Sequence, residues 1–177
     1  MKHKTSKMNN ASCFMLSALG FSLLETTVAI AILITAIIGP LTLASSSIKA
    51  SATAKNNLIA ANLAQEGVEL VKNHRANNVL AERDWLYGFG DCLTEVGCTI
   101  DALTIEINLC GASCEPIKLD EQSGLYSYGA GNPTIFARKI NLVETVGARE
   151  VKIKSAVSWT DRFGAQKFEL EAYMLNW

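Results

Sequence analysis

The sequence predicts an α+β fold in the form of a lollipop: a long N-terminal helix, transmembrane in its first half, packs its second half against a small antiparallel sheet. Three observations carry this expectation. An apolar run comes after Gly20, an alanine-rich amphipathic stretch continues it, and alternating strands joined by short turns close the chain. The expected organisation is a leader at 1–20, a membrane-embedded helix half at 21–44, an amphipathic half at 45–80, and an extracytoplasmic β head with disulfide loops at 81–177.

The apolar run comes first. Hydrophobic residues make up 49% of the 177 residues and charged ones only 19%, an excess beyond an ordinary core. From Phe21 to Leu43 the one ionisable side chain is Glu25, and a helix needs roughly 20 apolar residues to cross the hydrocarbon of a bilayer. Lys2, Lys4 and Lys7 precede the run and no acidic residue lies among residues 1 to 20. The positive-inside rule therefore keeps the N-terminus cytoplasmic and exports the chain beyond the span. Gly39 and Pro40 interrupt the run; proline removes a backbone donor and clashes with the preceding turn, so a kink or a locally melted stretch is expected there.

From Ser45 the pattern becomes amphipathic. Ile59, Leu63, Leu70 and Val71 are spaced for one face, with Lys55, Asn62, Gln65, Glu69 and Lys72 largely elsewhere. An unbroken helix from Phe21 to Asn77 would be on the order of 85 Å long, more than one small globule covers. Its other faces need another partner.

The remainder reads as strands. Residues 103 to 109 and 134 to 143 are rich in β-branched and aromatic side chains. Residues 151 to 159 alternate Val151, Ile153, Ser155, Val157 and Trp159 against Lys152, Lys154 and Ser158. A turn from Thr160 to Ala165 leads into residues 167 to 175, with Phe168, Leu170, Ala172 and Met174 on one face. Short connections imply an antiparallel sheet with one apolar face, for which the amphipathic helix is the cover.

Cys92, Cys98, Cys110 and Cys114 form an even set in the exported half, whereas Cys13 lies before the span. Exported thiols oxidise, and their spacing is not a usual zinc pattern. Of the three possible pairings the local one is preferred, Cys92 with Cys98 and Cys110 with Cys114, because each pair brackets a short turn-rich loop containing Gly97 or Gly111.

The segment Gly20-Phe21-Ser22-Leu23-Leu24-Glu25, leading directly into the apolar run, resembles the processing site of type IV prepilins and of the related pseudopilins of type II secretion. The resemblance implies cleavage between Gly20 and Phe21 by a prepilin peptidase, N-methylation of Phe21, and retention of the span in the product. Glycine leaves the protease free access to the bond. A carboxylate such as Glu25 costs a few kcal/mol in hydrocarbon and seeks a partner; cleavage creates one in the new amine of Phe21, in the same chain or a neighbour, which implies a role in assembly register. Gly39-Pro40, residues 63 to 73 and the C-terminal strands look like PilV-type minor pilins and I-type minor pseudopilins.

The function implied is that of a minor subunit of a type IV pilus-like filament, with a type II secretion or competence pseudopilus as the alternative. Its partners would be other pilin or pseudopilin subunits, the prepilin peptidase, the inner-membrane assembly platform and the lipid bilayer. It would sit as a single-pass inner-membrane precursor with its head outside, and later in a surface pilus or periplasmic pseudopilus. Two rivals are weaker. A signal-peptidase site at Ala50-Ser51-Ala52 would release a soluble protein but leaves an overlong charged region containing Glu25, and a plain anchor makes Gly20, Phe21 and Glu25 a coincidence.

Neither an enzyme nor a cofactor or metal site is expected. His74 reads as a solvated side chain beside Lys72 and Arg75, and the glycine-containing loop at 129–133 leads into a strand rather than a helix. Arg138, Lys139, Arg149, Lys152 and Lys154 concentrate positive charge, but in a mildly acidic product they read as a solvated sheet face rather than a nucleic-acid site.

Overall fold

The computed structural model describes residues 22–147 and 149–176. Gly20, Phe21 and Cys13, with the expectations attached to them, lie outside the described residues. The fold is α+β, as expected. Among the described residues one helix, α1 (Leu23–Leu80), leads into a single 3-10 turn (Gly90–Leu93) and seven strands: β1 (Cys98–Ile100), β2 (Ile107–Leu109), β3 (Pro116–Leu119), β4 (Tyr126–Ser127), β5 (Asn132–Val146), β6 (Glu150–Asp161) and β7 (Gly164–Leu175). The chain divides into two compact units between Ile48 and Lys49.

In the first unit every described residue is exposed, including Ile32, Leu33, Ile37 and Leu41. This part of α1 is long and apolar enough to cross a membrane. Its hydroxyls are turned inward on the backbone: Thr26, Thr27, Thr35, Thr42, Ser45 and Ser46 each donate to a carbonyl of the preceding turn at 2.8 to 3.1 Å. Side-chain donors satisfied in this way suit a helix surrounded by hydrocarbon. The expected melting at Gly39-Pro40 is replaced by an unbroken helix, because α1 continues through both residues. Proline removes only its own N–H from the ladder, and the Thr42 hydroxyl adds a bond to the Gly39 carbonyl at 2.8 Å.

In the second unit α1 buries Ala60, Leu63, Ala64, Gly67, Val68, Leu70 and Val71, the three-and-four spacing of one helical face. Ile59 is only partly buried at the margin of that face. The sheet is antiparallel throughout. Its order is β2-β1-β5-β3-β4, with β6 pairing β5 and β7 pairing β6.

The β5-β6-β7 meander forms the floor beneath the helix. Along β6, Val151, Ile153, Ser155, Val157 and Trp159 are buried while their neighbours are not, as the alternation predicts. Two apolar clusters result. Ala60, Leu63 and Ala64 meet Ile117, Phe136, Val157 and Trp159; Val68, Leu70 and Val71 meet Ile140, Leu142, Val151, Ile153 and Met174. The closing hairpin is tighter than the expected turn over 160–165: Asp161 pairs with Gly164, Gly164 has φ +116°, and the Asp161 carboxylate accepts from the Phe163 N–H at 2.8 Å.

One expected strand is largely a turn. Within 103 to 109 only Ile107–Leu109 is extended, because Asp101 Oδ1 accepts from the N–H groups of Leu103 and Thr104 at 2.7 and 3.0 Å. Ile105 is left with φ +59°. Such local side-chain bonds compete with ladder pairing.

Candidate functional site

Of Gly20, Phe21 and Glu25, the residues expected to act in processing and assembly, only Glu25 falls among the described residues. Glu25 occupies the first turn of α1, where the helix dipole favours an acid. It stands among exposed leucines, isoleucines and valines, the surface that a bilayer or packed neighbouring helices would cover.

In the head, β5 carries a buried cation that sequence reasoning placed on the solvated face. Arg138 is 2% exposed. Its guanidinium donates to the Leu63 carbonyl at 3.1 Å, to Glu66 Oε2 at 2.7 Å and to the Ile100 carbonyl at 2.8 Å. One side chain thus ties α1 to both β5 and β1. The signal was present in the strand parity, since Arg138 shares its face with Phe136, Ile140 and Leu142, all buried. The remaining cations do lie outward: Lys152 and Lys154 both pair with Glu171 at 3.1 Å, and Lys139 donates to the Glu95 carbonyl. His74 is partly buried rather than fully solvated. Its Nε2 lies 3.1 Å from the Tyr87 carbonyl and its ring stacks edge-on against Phe89 at 4.7 Å, so it helps dock the segment after α1.

Arg138 reaches α1 because Gly67 leaves room. A Cβ there would stand 2.5 Å from Ser155 Oγ and 3.0 Å from Arg138 Cδ. Ser155 Oγ is buried with no hydrogen-bond partner among the described residues. Gly67→Ala therefore loses stability, by about 1–3 kcal/mol, despite the better helix propensity of alanine. Ser155→Ala removes both the closest obstacle and an unsatisfied hydroxyl, so it is close to neutral alone and restores part of the Gly67→Ala loss. Urea unfolding of the four combinations, monitored by the fluorescence of buried Trp85 and Trp159, measures this coupling; strict additivity would refute it.

Both disulfides join the pairs preferred from sequence, with Cα–Cα separations of 4.7 Å for Cys92–Cys98 and 4.6 Å for Cys110–Cys114. They differ in burial. Cys92 and Cys98 are both 0% exposed within the main core cluster, whereas in the second pair Cys110 is buried, Cys114 is partly exposed and Gly111, Ala112 and Ser113 between them are exposed.

Asp101 joins the two sides of the sheet. Besides its own turn, it accepts from the Tyr128 N–H at 2.6 Å. Burial raises its pKa, but the N–H groups of Thr104, Tyr128 and Leu103 together outweigh burial and hold it below the ordinary aspartate range. The stability it contributes is present above the unfolded pKa of about 3.9 and is lost as pH falls through the lower folded value. Asp101→Asn should cost about 1–3 kcal/mol at neutral pH, because a carboxamide cannot accept from all three N–H groups. It should also flatten the loss of stability below about pH 4. Urea midpoints at neutral and acidic pH test this, and identical pH slopes for the two proteins would contradict it.

Among the described residues, no group of three or more His, Cys, Asp and Glu side chains is placed to hold a metal ion. No family model, curated protein or solved structure matches this chain.

Proposed function

We propose that the chain is a minor subunit of a type IV pilus-like filament, made as a membrane precursor and cut between Gly20 and Phe21. The observation that carries this reading is the Gly20-Phe21-Ser22-Leu23-Leu24-Glu25 segment running without a gap into an apolar helix. Three further features support it. The N-terminal half of α1 offers apolar side chains on all sides, the sheet packs on the later part of the same helix, and the head is clipped by two short-range disulfides, which suits an oxidising compartment.

The chemistry is assembly rather than turnover. Apolar helix faces leave lipid for helix neighbours, so association draws on close packing at small residues such as Ala29, Ala31, Ala36 and Gly39. Glu25 pairs with the amine freed at Phe21, which is worth more in an apolar surrounding than in water.

Intact mass and N-terminal sequencing of membrane-extracted protein, expressed with and without a prepilin peptidase, test the reading. The expected product begins at N-methyl-Phe21 only when the peptidase is present, and is lighter than its reduced form by the hydrogens of two disulfides. An uncut chain in both strains, or a soluble product beginning near Thr53, would overturn it. Deletion in the native host then separates the two filament types: loss of surface filaments identifies a pilus, and trapped secreted enzymes a type II pseudopilus.

A further inference from the structure

The sheet splits at the middle of β5. On one side β1 meets β5 only at the Cys98–Ile140 pair; β3 takes over from the Pro116–Ala137 pair onward. Arg138 lies at this changeover and closes the split from within by donating to the Ile100 carbonyl. Tyr128 fills it further, its hydroxyl donating to the Arg138 carbonyl at 3.4 Å.

Above the split lies a cleft of about 470 Å³, lined by Thr99, Asn108, Cys110, Ser113, Glu115 and Tyr128 among others. That volume falls in the range of small-molecule sites, roughly 300–1,000 Å³. The Cys110–Cys114 disulfide closes the loop that forms one wall. The wall is therefore a covalently bounded feature of the head.

The lining selects a chemistry. It contains one carboxylate, Glu115, and no lysine, arginine or histidine, so a phosphate or nucleic-acid backbone would meet repulsion and no counter-charge. Apolar ligands find too little hydrocarbon. The cleft offers instead a mixed set of hydrogen-bonding groups: the Asn108 carboxamide both donates and accepts, the Ser113 hydroxyl does likewise, and Glu115 accepts. Tyr128 and Leu109 add an apolar surface beside them. Vicinal hydroxyls on a ring, each both donor and acceptor and carried on an apolar C–H face, match that set.

We infer that this cleft binds a saccharide unit without anionic groups, with Asn108, Ser113 and Glu115 holding its hydroxyls and Tyr128 covering a ring face. The site lies wholly in the head and does not depend on the filament reading. Thr99 and Tyr128, packed into the sheet, fix the base of the cleft. Asn108, Ser113 and Glu115 are exposed and can be replaced without disturbing the core.

The test uses the full chain in a detergent that contains no sugar, such as lauryldimethylamine oxide. Saturation-transfer NMR is run with methyl glucoside, methyl galactoside, N-acetylglucosamine and its trimer as probes, alongside methyl phosphate and putrescine. At least one saccharide should receive transfer, and Asn108→Ala and Glu115→Ala should each weaken its binding about tenfold, the equivalent of one or two lost hydrogen bonds. Methyl phosphate should receive none. Near-ultraviolet circular dichroism confirms that the variants keep the native head. Absence of transfer to every saccharide, binding by putrescine alone, or saccharide binding that survives both substitutions would overturn the proposal.

Discussion

Replacing Arg138 by alanine is expected to destabilise the head by about 3–5 kcal/mol, through two buried carbonyls left without a donor and the cavity left where the side chain lay. Three acceptors lose their donor together: the Leu63 carbonyl, the Ile100 carbonyl and Glu66 Oε2. The first two bonds are buried, so little water replaces the guanidinium. The aliphatic stem also fills space under Gly67, where Cδ sits 3.0 Å from the position of a Cβ. Arg138→Met keeps much of that volume and should recover part of the loss.

Glu66→Gln is the discriminating companion. Glu66 is 37% exposed, so solvent screens its charge and the substitution should cost no more than about 1 kcal/mol. If Glu66→Gln proved as damaging as Arg138→Ala, the ion pair rather than the two carbonyl contacts would hold helix to sheet. Unfolding monitored through the buried Trp85 and Trp159 reports both outcomes.

Removing Cys92–Cys98 by a double alanine substitution is expected to cost about 2–5 kcal/mol, and removing Cys110–Cys114 at most about 2 kcal/mol. The loops are similar in length, six and four residues apart in sequence, so chain entropy alone predicts little difference. Burial makes the distinction. Both sulfurs of the first pair belong to residues in the core with Phe89, Ile100 and Ile140, and their loss adds a cavity to the lost cross-link. In the second pair Cys110 is buried but Cys114 is only partly so, and the loop between them is exposed, so less packing is lost.

Kinetics should obey the same order. A mild thiol reductant should open Cys110–Cys114 first and leave Cys92–Cys98 closed until the head unfolds, because attack requires access to a sulfur. Alkylation at timed intervals, read by mass spectrometry, checks this. Simultaneous loss of both bridges in the native state would show that burial does not protect the first.

Much of the architecture is legible in local patterns. The apolar run, the helical spacing through Val71 and the strict alternation along β6 each report a burial period carried by neighbouring residues, and the folded chain keeps all three. The local pairing of the cysteines is also readable, since both loops are short turns. Harder to read are β3 and β4, at Pro116–Leu119 and Tyr126–Ser127. Strands this short carry too few residues to show a period, and they exist because β5 offers an edge to β3 and β3 offers one to β4.

The 103 to 109 segment shows the opposite limit. Its β-rich composition suggests a strand, but a single upstream carboxylate, Asp101, outcompetes the ladder for two N–H groups. Arg138 is the most instructive residue. Its parity on β5 points inward, yet charge argues for solvent, and only the acceptors assembled from α1 and β1 make burial tolerable.

By itself, then, the sequence determined the membrane-compatible helix, its amphipathic continuation, the antiparallel meander and the cysteine pairs, because each depends on residues within a turn or a strand of one another. The tertiary structure alone decided the buried Arg138 contact, the need for Gly67 opposite Ser155, and the cleft at the split sheet. Those features join residues from α1, β1, β2, β5 and β6, and no period along the chain encodes a distance between segments so far apart.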